Sequence, residues 1–145
     1  MNVFVDANII LDVLDQRELF LSESSNVLSL GAEHKITLYA TAMTFATCIY
    51  ILRKPMGYNN AVACINVLKE YINISPLTQT EFDKAFSKPC PDVEDMLQYH
   101  SAITANCEVI VTRNGKHFPS NRNPSSYSKR VFRKILLILM VLALP

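Results

Sequence analysis

Val3-Phe4-Val5-Asp6-Ala7-Asn8-Ile9-Ile10-Leu11-Asp12 opens the chain with an apolar run that halts at one acid and then resumes at helical spacing. The run before Asp6 reads as a strand, and Ile9, Ile10, Val13 and Leu14 fall on one side of a helix from Asn8 through Leu14. A strand, a turn and a helix therefore come first. With Asp6 and Asp12 inside it and no basic n-region, the stretch reads as folded structure and not as an export signal.

The alternation continues along the chain. Ser22 to Leu30 fits a second helix, with Ser22, Ser24 and Ser25 as capping hydroxyls and Gly31 placed to stop it. Ile36 to Tyr39 alternates with Lys35 and Thr37 as a strand that ends at Thr41. Ala42 to Lys54 is helical until Pro55 and Gly57 break it, and Asn59 to Tyr71 is helical with Val62, Ile65, Val67 and Leu68 as apolar members. Ile72 to Leu77 makes a short strand broken by Pro76, and Thr78 to Phe86 a helix with Thr80 as its cap. A turn at Lys88-Pro89-Cys90-Pro91 delivers the chain to a helix over Asp92 to Asn106, whose Asp-x-x-Asp start resembles a capping box. Val109, Ile110 and Val111 then form a β-branched strand ending at Thr112. Strands alternating with helices imply an α/β fold of three layers, a central mainly parallel sheet covered on both faces, with right-handed crossovers. There is no internal repeat.

A chain of 145 residues fits one domain, and 50% hydrophobic with 19% charged residues excludes disorder over most of its length. A net charge of +1 provides no bulk basic field, so a nucleic-acid partner must be met by a local patch. Cys48, Cys64, Cys90 and Cys107 lie far apart, without a C-x-x-C pair or a histidine at zinc spacing, which implies a reduced, cytoplasmic protein. The domain is expected over residues 1–119, followed by a divergent segment over 120–145: Ser120 to Arg133 is polar and basic, and Ile135 to Leu144 is almost wholly aliphatic. A helix of that apolar length spans roughly 15 Å, about half a bilayer core, so no membrane span is expected. The apolar run is expected to pack on the same domain as a last strand or docked helix, the alternative being an interfacial or partner-binding segment; left bare it would be an aggregation hazard. An altered reading frame near the end would give such a change in composition, and resequencing the coding region tests it.

In a parallel sheet, the carboxyl ends of strands and the first turns of the following helices converge on one edge. Asp6 follows the first strand, Asp92 and Asp95 open a helix, and Asn114 follows the last strand, so all four are expected in one crevice. Gathered carboxylates repel, and a hard divalent cation such as Mg²⁺ or Mn²⁺ relieves the repulsion; it can also activate water and offset phosphate charge. Each residue has a structural reading as well. Asp6 can cap the first helix, Asp92 and Asp95 can serve as cap and dipole-complementing acid, and Asn114-Gly115 is a turn former. Glu94 reads as solvated, and Asp12 as a surface residue or a support for Asp6. Thr112 can hydrogen-bond Asp6 or simply end a strand, and His100 and His117 read as surface histidines. Arg53, Lys54, Arg113 and Lys116 are expected to flank the crevice, where they can meet nucleic-acid phosphates or simply be solvated, while Lys129, Arg130, Arg133 and Lys134 can bind nucleic acid or keep the tail soluble.

Three stretches, taken together, resemble the PIN-domain family, the metal-dependent ribonuclease fold used by many bacterial toxins of the VapC type. They are the opening Val3 to Asp12, the run Pro91-Asp92-Val93-Glu94-Asp95-Met96-Leu97-Gln98-Tyr99 with Ala102, and Val109-Ile110-Val111-Thr112-Arg113-Asn114 with Phe118. Thr44 to Lys54 resembles the helix on which relatives place a Glu. The resemblance implies that Asp6 and Asp95 are metal-binding carboxylates, that Asp92 is an additional acid and that Asn8 and Thr112 support the site. Asn114 stands where many relatives have a third Asp, and Thr47 or Cys48 where they have Glu, so the acidic set is partly degenerate. It further implies cleavage of RNA, a protein antitoxin as partner and a homodimer. The rival is a catalytically weak or inactive PIN-fold module that binds RNA or a partner protein. A receiver-like signalling domain also gathers acids at strand ends, but this chain lacks its adjacent acids, its phosphoacceptor Asp after the third strand and its Lys after the fifth.

Overall fold

Val3, Phe4 and Val5 are all completely buried, because the strand they form lies inside a parallel sheet with both faces covered. The structure is a computed structural model and describes residues 1–90 and 92–114. In chain order it contains β1 (Asn2–Val5), α1 (Ala7–Leu14), α2 (Leu21–Ala32), β2 (Thr37–Thr41), α3 (Ala42–Met56) and α4 (Tyr58–Leu68). There follow β3 (Ile72–Ser75), α5 (Gln79–Phe86), α6 (Val93–Thr104) and β4 (Val109–Val111).

The strands lie in the order β3-β2-β1-β4, and every pairing is parallel. The expected mainly parallel sheet is thus wholly parallel among the described residues. The chain steps from β1 to β2 to β3 in one direction and then returns to set β4 on the far side of β1. Right-handed crossovers put helices reached on the outward and return steps on opposite faces. In keeping with this, α1, α2, α3 and α4 pack among themselves and α5 packs on α6, giving the three layers. The reversal makes the carboxyl ends of β1 and β4 the switch point of the sheet, where a crevice opens. Phe4 pairs with Tyr39 on one side and Ile110 on the other, which brings the residues after Val5 and Val111 side by side.

Several boundaries differ from expectation for physical reasons. Gly31 does not stop α2 but lies in its last turn, where an added Cβ would come within 2.2 Å of Leu38 Cδ1; it is small so that β2 can approach. The turn that follows falls to His34, with φ 57°. The serines do not cap α2, whose N-cap Phe20 makes no side-chain cap bond. Pro55 sits within the last turn of α3, which ends at Gly57 with φ 84°. Val67 of α4 faces solvent and takes no part in the core. The cap of α5 is Thr78 and not Thr80: Thr78 accepts from Thr80 N, and Glu81 reaches back to Thr78 N. All four cysteines are free. Among the described residues no helix is long and apolar enough to cross a membrane. The basic stretch and apolar run of residues 120–145, with Lys116, His117 and Phe118, lie outside the described residues.

Candidate active site

Asp6 occupies the N-cap position of α1 with extended backbone, yet its side chain makes no cap hydrogen bond. The carboxylate is instead held across the switch point. Thr112 Oγ1 donates to Asp6 Oδ2 at 2.7 Å, and Asn8 Nδ2 donates to the same oxygen. The backbone fixes the approach, because Asp6 N donates to Val111 O at 3.1 Å as the last rung between β1 and β4. Thr112 Oγ1 also accepts from Asn114 N at 3.0 Å and from Asn8 Nδ2 at 3.3 Å, which satisfies a hydroxyl that has one proton to give. Asp6 Oδ1 receives no hydrogen bond among the described residues.

On α6, Asp92 is the N-cap and its Oδ1 accepts from Asp95 N at 3.2 Å, so the structural reading of Asp92 describes its geometry. Asp95 is buried in the first turn of that helix. Glu94 is exposed in the same turn. Partial desolvation first, and then the negative charges of Asp6, Asp92 and Asp95, push its carboxyl above the usual carboxylate range, with a hydrogen bond from Gln98 pulling the other way. Asp6 and Asp95, far apart in the chain, thus bear on one carboxylate. The exposure of Glu94 is as expected, and the nearby acidic charges add to that reading. Among the described residues, no three His, Cys, Asp or Glu side chains stand close enough to share one ion.

The helix on which the resemblance implies a Glu is α3, with Thr47 and Cys48 at the expected place. Thr41 caps α3 by accepting from Thr44 N, and the two hydroxyls lie 2.9 Å apart in a buried pair. Thr47, on the next turn, is half-buried. Cys48 is fully buried with its thiol toward Ala7 O at 3.8 Å. Burial, with the charge of Asp6, pushes that thiol up to about 12, while Arg17 acts in the opposite sense; it stays protonated and inert.

Of the basic residues that are described, Arg53 and Lys54 stand away from the site. Arg53 and Lys54 stand in the last turn of α3, and Lys54 is about 18 Å along the helix axis from Ala42 at the carboxyl edge of β2. The Arg53 guanidinium lies over the Tyr50 ring at 4.3 Å. Arg113 stays beside the site, but its guanidinium is directed to Asp12 and to the Phe20 ring. Asp12 is fully buried, which excludes the surface reading and leaves that of a support for Asp6. His100 is half-buried against Tyr99, and burial together with Lys84 holds it below its usual range. Asn114 is exposed and anchored through its backbone to Thr112.

Comparison with known proteins agrees with this layout. A family model described as PIN domain matches residues 2–116. The chain is 30% identical over 123 residues to Ribonuclease VapC1 of Aquifex aeolicus (strain VF5), an alignment covering 81% of this chain and 84% of that protein. It is similar in fold to the crystal structure of VapBC2 from Rickettsia felis bound to a DNA fragment from their promoter, with a TM-score of 0.58. That likeness has 18% sequence identity and covers 80% of this chain and 90% of the other. The matched span contains every element from β1 to β4, and with a parallel sheet whose switch point carries Asp6, the chain belongs to the PIN-domain family.

Proposed function

We propose that this protein is a PIN-type endoribonuclease, the toxin half of a toxin–antitoxin pair, which hydrolyses RNA phosphodiesters with Mg²⁺ or Mn²⁺ held by Asp6 and Asp95. The observation that carries this reading is the use made of Asp6. A buried acid at a helix N-cap that does not cap, and is instead braced by Asn8 and Thr112, retains an oxygen for another partner. The likeness to Ribonuclease VapC1 supports the activity, and that to a VapBC2 structure supports an antitoxin-type partner.

The residues suit a hard cation. Asp6 Oδ1 takes no hydrogen bond among the described residues, and the charges of Asp6, Asp92 and Asp95 all bear on Glu94. One or two carboxylates fit an ion that keeps most of its water, as Mg²⁺ does, better than a closed protein cage. When bound, such an ion would supply an activated water and offset charge on the phosphate. Asn8 and Thr112 fix the direction of Asp6, Asp92 fixes the first turn that carries Asp95, and Asn114 offers a neutral oxygen. Lys116, two residues past Asn114 in the chain, is the proposed phosphate contact. Homodimerisation and a cytoplasmic location belong to the same proposal.

A second reading has a specific observation behind it. Thr47 and Cys48 replace the Glu of relatives, and no three acids share an ion among the described residues, which favours a weak or inactive module that binds RNA or a partner protein. Cleavage of single-stranded and structured RNA with added Mn²⁺, in wild type, Asp6→Ala and Asp95→Ala, separates the two. The nuclease reading expects cleavage lost in both variants, and equal activity in all three proteins would refute it. Calorimetric titration with Mn²⁺ and RNA identifies the binding module, which would hold RNA without cutting it.

A further inference from the structure

Asp12 is a completely buried acid to which the reaction assigns no part. Its Oδ2 accepts from Ser24 Oγ at 2.9 Å. Its Oδ1 has no hydrogen bond among the described residues and faces two guanidinium groups, Arg113 Nη2 at 3.5 Å and Arg17 Nη1 at 3.8 Å. A carboxylate shut off from water depends on such partners, because a buried charge left unpaired is strongly destabilising.

Arg113 is the informative partner. Its guanidinium lies 4.5 Å over the Phe20 ring, so cation–π contact and ion pairing fix the same group. Its backbone N–H donates to Asn8 Oδ1 at 3.3 Å, and Asn8 Nδ2 donates to Asp6 Oδ2. The residue before it, Thr112, donates to Asp6, and the residue after it, Asn114, bonds back to Thr112. The segment leaving β4 is therefore tied to α1 at two heights, at Asn8 in the first turn and at Asp12 further along.

We propose that Asp12 is a positioning residue for the acidic site: by holding Arg113 it clamps the Thr112–Asn114 segment on α1 and so keeps Asn8 and Thr112 on the Asp6 carboxylate. The importance of the clamp for the reaction rests on the reading of Asp6 as a site of metal-dependent ribonuclease chemistry. Arg113 then serves as the clamp's cation and not as an RNA contact.

The test compares wild type with Asp12→Asn, Arg113→Gln, Arg113→Lys and the Asp12→Asn/Arg113→Gln double variant. Amide hydrogen exchange is followed residue by residue, and each protein is titrated with Mn²⁺. Exchange at Arg113 and Asn114 is expected to rise on the order of tenfold in Asp12→Asn and Arg113→Gln, while β1–β2 ladder amides hold. Mn²⁺ affinity is expected to fall ~10–100-fold in the same two proteins, as for loss of a supporting residue, with partial rescue in Arg113→Lys. The double variant is expected to be no worse than the poorer single variant. Unchanged exchange at Arg113 and Asn114 would overturn the proposal, as would retained Mn²⁺ affinity or an exchange increase spread over the whole sheet. If Asp12→Asn does not fold, Arg113→Gln decides alone, since it leaves Asp12 paired with Arg17. If wild type binds no Mn²⁺, the metal reading of Asp6 fails and the positioning role falls with it, whereas wild-type binding that survives in the variants overturns only the clamp.

Discussion

Asp6 and Glu81 are both buried acids at helix starts, 6% and 1% exposed, yet they are used in opposite ways. Glu81 spends both oxygens. Its Oε2 takes Thr78 N at 2.7 Å and Thr78 Oγ1 at 2.6 Å, and its Oε1 takes Thr104 Oγ1 at 2.8 Å, so it ties the start of α5 to the end of α6. Asp6 takes both of its donors on one oxygen and leaves the start of α1 uncapped. Burial alone therefore does not separate the two acids; they differ in the donors on each oxygen. Asp92 lies between these cases, capping α6 while its charge reaches Glu94.

The sharpest way to break the contrast is to remove each acid in turn. Asp6→Ala should cost RNA cleavage more than the ~100-fold that follows loss of a supporting residue, because its free oxygen is the proposed metal ligand. The α1 helix should stay as stable as before at its N-terminus, since no side-chain cap is lost. Cleavage assays with circular dichroism on the same samples check both parts. A fall in helix content without loss of cleavage would put Asp6 in the same class as Glu81.

Thr112→Val tests whether the brace matters as much as the acid. It removes the donor to Asp6 and the acceptor for Asn114 N at nearly constant volume, and should lower Mn²⁺ affinity by ~10–100-fold. Isothermal titration gives the value directly. An affinity equal to wild type would mean that Asn8 alone holds the carboxylate.

Glu81 should reveal itself through pH. Hydrogen bonds from the Thr78 hydroxyl, the Thr78 backbone and Thr104 draw its carboxyl down to about 2 from an ordinary 4.5. A folded value below the unfolded one means that the native state binds the proton less readily. Its contribution to stability is therefore complete above about 4.5 and fades as pH falls through about 2. Glu81→Gln should flatten the acid limb of stability against pH in that window and leave cleavage little changed, as thermal melts from pH 2 to 7 would show. An unchanged acid limb would mean that the two helices are held by other contacts.

How far these roles could be read from the chain follows the range of the interactions. The strand before Asp6 and the run Val109-Ile110-Val111 were legible because central parallel strands need continuous apolar residues. The pairing of Asp6 with Thr112 followed from the alternation of elements, once β1 and β4 were seen to share an edge. Asp12 stayed open between a surface residue and a support for Asp6 because Ser24 and Arg113, the groups that make its burial tolerable, come from other parts of the chain. The reach of Glu81 to Thr104 of α6 was hidden for the same reason, whereas its capping box with Thr78 is local. Gly31 was misread because a helix-stop glycine and one that makes room for Leu38 look alike until the sheet is in place.

Asp92 offers the finest division of the contrast. Asn and Asp cap helices about equally well, so Asp92→Asn should retain stability within a few tenths of a kcal/mol, whereas Asp92→Ala should lose about 1 kcal/mol. Both remove the same charge from the neighbourhood of Glu94. Urea melts read the cap, and Mn²⁺ titration reads the charge. Equal loss of affinity in the two variants, with stability lost in only one, would show that Asp92 serves the site through its charge and α6 through its oxygen. Unchanged affinity in both would leave it a cap like Thr41 at the start of α3, and would leave Asp6 and Asp95 as the acids of the proposed site.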